Sequence, residues 1–158
     1  MDFELSDEQQ QIKEEVRRFG ENEVLPHAKE YDQEEKFPHK ILEKAAKMGL
    51  TGPHIPVEYG GAGYGAVEAA LIVEELFSVD PGIALSLVAT GFGSEAIIGF
   101  GTEEQKEKYL EPVAKGEAIM GAAISEPASG SDVSSISTKA EKDGDEWVIN
   151  GNKMWITN

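Results

Sequence analysis

The residues of this chain best suited to chemistry lie in two short stretches, AAISEPASGSD at 122–132 and KMWITN at 153–158. If the first is extended, period-two alternation puts Gly121, Ala123 and Ser125 on one face. That face presents backbone and a hydroxyl rather than bulk, so a flat ring can approach closely. Ser129, Gly130 and Ser131 follow, with amides and hydroxyls able to receive a phosphate without any lysine. In the second stretch the same alternation sends Trp155 and Thr157 to one face and Ile156 to the other. An indole can stack on a planar cofactor, and a hydroxyl two residues on can bond the edge of its ring. Taken singly, Trp155 reads as core and 129–131 as a loop; their combination carries the weight.

Other candidates carry less. Gly61, Gly63 and Ala66 fit G-x-G-x-x-A, and a helix follows. A dinucleotide loop must leave a buried parallel strand, however, and the preceding HIPVEY contains Pro56 and few strand formers. A tight turn feeding a packed helix is the better reading. His27, His39 and His54 are far apart in sequence, none is in H-x-x-x-H, and no serine sits in G-x-S-x-G, so neither a metal site nor a hydrolase is indicated. Most carboxylates alternate with lysines on solvated helix faces. Glu74, Glu75 and Glu95 belong to more apolar segments and suggest paired, structural roles.

The elements that position these residues begin with a capping box, Ser6 to Gln9, followed by Ile12, Val16 and Phe19 at helical spacing. Pro26 must interrupt that helix, and 27–31 resumes it. Pro38 starts a third helix, with Ile41, Leu42, Ala45, Ala46 and Met48 as its stripe and Gly49 as its cap. A turn-rich loop leads to a helix over 66–78, apolar almost all round and therefore expected inside. Residues 83–100 carry one charge, Glu95. Their glycines, serines and threonine, with no aromatic or basic belt, predict a central buried helix and not a membrane span. Thr102 to Gln105 opens a last helix ending near Gly116. Then the character changes: 118–125 reads as a strand, and 138–142 and 146–149 flank Asp143-Gly144 as a hairpin. Asn150-Gly151 repeats the turn before a strand over 153–157.

The chain has 158 residues, with 30 acidic against 14 basic side chains and a formal net charge of −16. That field opposes phosphate backbones and anionic membranes, so neither nucleic acid nor membrane is an expected partner. At 40% apolar and 28% charged residues the composition is that of a globular protein able to bury a core. With no cysteine, thiol catalysis and disulfides are excluded. The opening MDFELSDEQQ resembles neither a secretion signal nor a transit peptide, and a cytoplasmic location is expected.

On these residues the chain resembles the amino-terminal part of the acyl-CoA dehydrogenase family. AAISEPASGSD and KMWITN match two signatures. IPVEYGGAGYG at 55–65, IVEEL at 72–76 and FGTEEQKEKYL at 100–110 support them in the family's order. The resemblance implies an α+β chain: an all-α domain over 1–117 and the first strands of an antiparallel middle β-domain over 118–158. It implies FAD as cofactor, oxidation of an acyl-CoA thioester to the trans-2-enoyl-CoA, an electron-transfer flavoprotein as acceptor, and a homo-oligomer in the full-length protein. Carried over by motif, Ala122, Ala123, Ile124 and Ser125 line the flavin, and Ser131 sits near cofactor phosphate and the entrance for substrate. Trp155 and Ile156 belong to the flavin contacts, with Thr157 bonding near N5. Ala84, Leu87 and Val88 are expected to shape the acyl pocket. Ser129 departs from the family's usual alanine. The catalytic glutamate falls beyond residue 158, so no catalytic residue is assigned and the isolated chain is expected to be inactive. The alternatives are a non-catalytic relic or interaction module of the same fold, and a nucleotide-binding protein using Gly61 and Gly63.

Overall fold

A computed structural model describes residues 4–158, so the first three residues of the opening stretch lie outside the described residues. The fold is α+β, with seven α-helices and two antiparallel strands among those residues. It divides between Met120 and Gly121 into two compact units.

Helix α1, Asp7–Phe19, starts where the Ser6 hydroxyl accepts from the Gln9 amide at 3.2 Å and the Gln9 side chain accepts from the Ser6 amide at 3.0 Å. Pro26 has no N–H to continue the ladder. The chain loosens into a π-turn at Gly20–Val24 and a 3-10 turn at Leu25–His27 before α2, Ala28–Glu34. Helix α3, His39–Lys47, buries Ile41, Leu42 and Ala45. Helix α4, Ala66–Val79, packs against α1 and buries Leu71, Ile72, Glu75 and Leu76; Val67 and Val73 are exposed, so it is not enclosed all round. Ile12, Val16 and Phe19 of α1 join Ile72, Leu76, Ile83, Ala84 and Leu87 in one core.

The predicted single helix over 83–100 is two. Helix α5, Pro81–Val88, starts at an Asp80 cap whose Oδ1 accepts from the Ile83 amide at 2.7 Å. Helix α6, Ser94–Phe100, starts only after Gly93, whose φ of +95° no β-carbon tolerates well. Apolar composition alone could not reveal that break, and its far end, Phe100, is 92% exposed. Helix α7, Glu103–Ala114, repeats the capping box at Thr102 and buries Leu110 and Val113 with Ile55 in a second cluster.

In the second unit β1, Lys139–Asp143, pairs with β2, Glu146–Asn150, through the loop Gly144-Asp145. The strands expected over 118–125 and 153–157 are absent. Met120 forms an isolated bridge with Gly91, and 151–158 leaves the hairpin as irregular chain.

Candidate functional site

Although neither motif is a strand, the second unit brings them side by side. The Met154 amide donates to the Ser125 carbonyl at 3.0 Å. A β-carbon on Gly121 would lie 3.0 Å from the Thr157 carbonyl oxygen, so the two stretches run antiparallel. Met154 thus lies beside Ser125, and Thr157 beside Gly121.

What fixes the pair is Glu126, whose side chain is 2% exposed. One carboxylate oxygen accepts from the Ser137 amide at 2.8 Å and the Ser137 hydroxyl at 2.6 Å. The other accepts from the Thr138 amide at 2.9 Å and pairs with Lys153 Nζ at 2.9 Å. The Ser137 hydroxyl above all, then Thr138, the Ser137 amide and Lys153, holds this carboxyl far below the usual glutamate range. The Lys153 ammonium also donates to the Ile124 carbonyl at 3.0 Å. Sequence reading missed this hub. Its only local sign was an acid inside an otherwise uncharged stretch, since its donors come from residues 11, 12 and 27 positions along the chain.

The side chains expected to meet a cofactor are mostly open. Ile124 is 54% exposed and Trp155 84%; Ala123, Ser131, Ile156 and Thr157 are exposed, and Ala122 and Ser125 half-buried. The hydroxyls of Ser125, Ser131 and Thr157 make no hydrogen bond among the described residues. Trp155 has φ of +61°, a conformation a bulky residue rarely adopts. That turn breaks the alternation expected to put Trp155 and Thr157 on one face. Strain of this kind gathers at functional sites. Apolar surface beside uncommitted hydroxyls fits a planar, polar-edged group such as a flavin. Ser129, by contrast, is buried, its hydroxyl donating to the Asp132 carbonyl at 2.7 Å inside the loop.

Ala84 and Leu87 are fully buried in the helical core and Val88 packs partly against it, whereas Leu85 and Phe92 are 45% and 42% exposed. The glycine loop is a turn: Gly61 and Gly63 donate to the carbonyls of Pro56 and Ile55 at 3.2 and 2.9 Å. A β-carbon on Gly61 would sit 2.0 Å from the Ile55 oxygen. Those amides are spent internally, so they offer no phosphate cradle.

Folding also brings His54 to the adjacent pair Ser94 and Glu95, 40 residues along the chain from that serine. The buried Ser94 hydroxyl donates to the Gly91 carbonyl at 2.6 Å, so His54 Nε2, 2.7 Å away, is the donor to it. Glu95 lies 3.4 Å from that same nitrogen. A serine whose facing imidazole nitrogen carries the proton has no base, and this is not a hydrolytic triad. Glu75 is structural as expected: buried, 2.6 Å from Arg17 Nε and 3.3 Å from Lys13. Glu74 pairs more loosely with Lys13 at 3.7 Å. Among the described residues no cluster of acids and histidines is placed to hold a metal ion, and no helix is long and apolar enough to cross a membrane.

The family model for the acyl-CoA dehydrogenase N-terminal domain matches residues 6–117, and that for the middle domain matches 121–158. The chain belongs to the acyl-CoA dehydrogenase family. It is 43% identical to a probable acyl-CoA dehydrogenase, YngJ, of Bacillus subtilis, over all of this chain and 42% of the relative. Among solved structures it is similar to butyryl-CoA dehydrogenase from Megasphaera elsdenii, with 36% identity, a TM-score of 0.84, and coverage of 100% of this chain and 43% of that one. It is also similar to an acyl-CoA dehydrogenase complexed with FAD from Bacillus anthracis, at 40% identity, a TM-score of 0.85, and coverage of 98% and 27%. The chain thus spans less than half the length of these acyl-CoA dehydrogenases.

Proposed function

We propose that this chain supplies flavin-contacting and acyl-contacting residues of a FAD-dependent acyl-CoA dehydrogenase, which converts an acyl-CoA thioester to the trans-2-enoyl-CoA. The observation that carries the reading is the bond from the Met154 amide to the Ser125 carbonyl, which sets the two signature stretches side by side with their apolar groups and hydroxyls open. In this reading Ile124 and Trp155 form an apolar wall, flanked by Ala122, Ala123 and Ile156. Ser125 and Thr157 hold the polar edge of the ring, and Ser131 serves the phosphates and the mouth for substrate. FAD, when bound, accepts the β-hydrogen of the substrate as hydride. The wall's part is to hold a ring in reach of the reacting carbon and keep water out.

The base that takes the α-proton is assigned outside these 158 residues. Glu75 is committed to two cations in the helical core and Glu126 to four donors. For the acyl chain, exposure favours Leu85 on α5 and Phe92 in the turn after it, beside Val88, over Ala84 and Leu87, which are spent on the core. An electron-transfer flavoprotein as acceptor, a homo-oligomeric assembly and a cytoplasmic setting belong to the same reading and rest on the family.

The complete reading frame encoding this chain should purify yellow, and acyl-CoA added without oxygen should bleach it. A colourless protein that takes up no FAD would overturn the reading. Trp155→Ala should weaken FAD binding, and the 158-residue chain alone should turn over no acyl-CoA.

A further inference from the structure

Glu126 touches none of the side chains assigned to the cofactor, yet beside the direct bond from the Met154 amide to the Ser125 carbonyl it and Lys153 supply the side-chain links between the two stretches. Lys153, two residues before Trp155, bridges its carboxylate to the carbonyl of Ile124, the residue before Ser125 in the facing stretch. The Ser137 amide on one carboxylate oxygen and the Thr138 amide on the oxygen that also meets Lys153 clamp the group to the chain leading into β1. Four donors around one buried group leave it a single orientation. The second unit buries no apolar side chain among the described residues that could do this by packing. We propose that Glu126 is a positioning residue for the flavin site: with Lys153 it locks 124–125 against 153–154 and so sets how the ring is held. The inference rests on the flavin reading.

The amide of a glutamine would turn an N–H₂ toward groups that are themselves donors, so Glu126→Gln keeps the shape and breaks half the clamp. In the complete flavoprotein, Glu126→Gln and Lys153→Met should each weaken FAD binding at least about tenfold, shift the visible flavin band, and lower kcat more than they raise KM. The double variant should be little worse than either single one, because both break the same link. Lys153→Arg should restore the band. A purely structural role would lower the melting temperature but leave the band of the folded fraction unmoved, and that outcome overturns the inference. A yellow wild type whose two variants keep its spectrum and affinity overturns it alone; a wild type that never holds FAD overturns it together with the flavin reading.

Discussion

Each of the two units buries a glutamate, and each holds it differently. In the helical unit Glu75 lies on α4 between buried Ile72 and Leu76 in sequence, neutralised by Arg17 and Lys13 reaching over from α1. In the second unit Glu126 and Ser129 are the only buried residues among those described, and both are polar. The first carboxylate decorates a core that apolar burial already holds; the second replaces a core. A two-stranded hairpin is marginal by itself in water, so the order of this unit depends on directional bonds that fail together when one partner is removed.

That contrast can be broken most directly at Leu76, which is wholly buried. Leu76→Ala should cost the helical unit about 2–5 kcal/mol by lost transfer and cavity formation. The drop should appear in a urea titration followed by helical circular dichroism; a change below about 1 kcal/mol would mean the core is not where stability resides.

A second, more local effect comes from acid. The folded pKa of Glu126 is depressed, so its contribution is complete above the ordinary glutamate range and is lost as pH falls through that range toward the folded value. Amide exchange at Ser137 and Thr138, corrected for intrinsic rate, should be equally protected at neutral and mildly acidic pH and lose protection only in stronger acid. Protection that faded before the ordinary carboxylate range was reached would contradict the hub. Helical amides such as those of α4 should keep theirs longer.

Ser6→Ala should cost about 1 kcal/mol, the typical worth of an N-cap, measured by the same urea titration. A cost of several kcal/mol there would show that α1 is held by its cap more than by its buried face. Smallest is Tyr59, whose hydroxyl donates to Glu103 at 2.6 Å; that bond, with burial adding to it, pushes its pKa up to about 12. The folded state therefore keeps this proton longer than the unfolded one. The bond's contribution falls as pH climbs from the ordinary tyrosine range to about 12. Ultraviolet titration should show one late-ionising tyrosine, absent in Tyr59→Phe.

The sequence by itself determined the family and the starts and buried faces of several helices. Ser6–Gln9 and Thr102–Gln105 close capping boxes within one turn, and Ile12, Val16 and Phe19 share a face because the helical period puts them there. Such interactions span three to seven residues, so spacing alone reveals them. Tertiary structure decided what spacing cannot: the break at Gly93 inside an apolar run, the turn at Trp155 that cancels strand alternation, and the docking of residues 153–154 on 124–126. Glu126 looks like any surface acid until donors from distant positions surround it, since a hydrogen bond depends on where two groups meet in space and not on how far apart they stand along the chain.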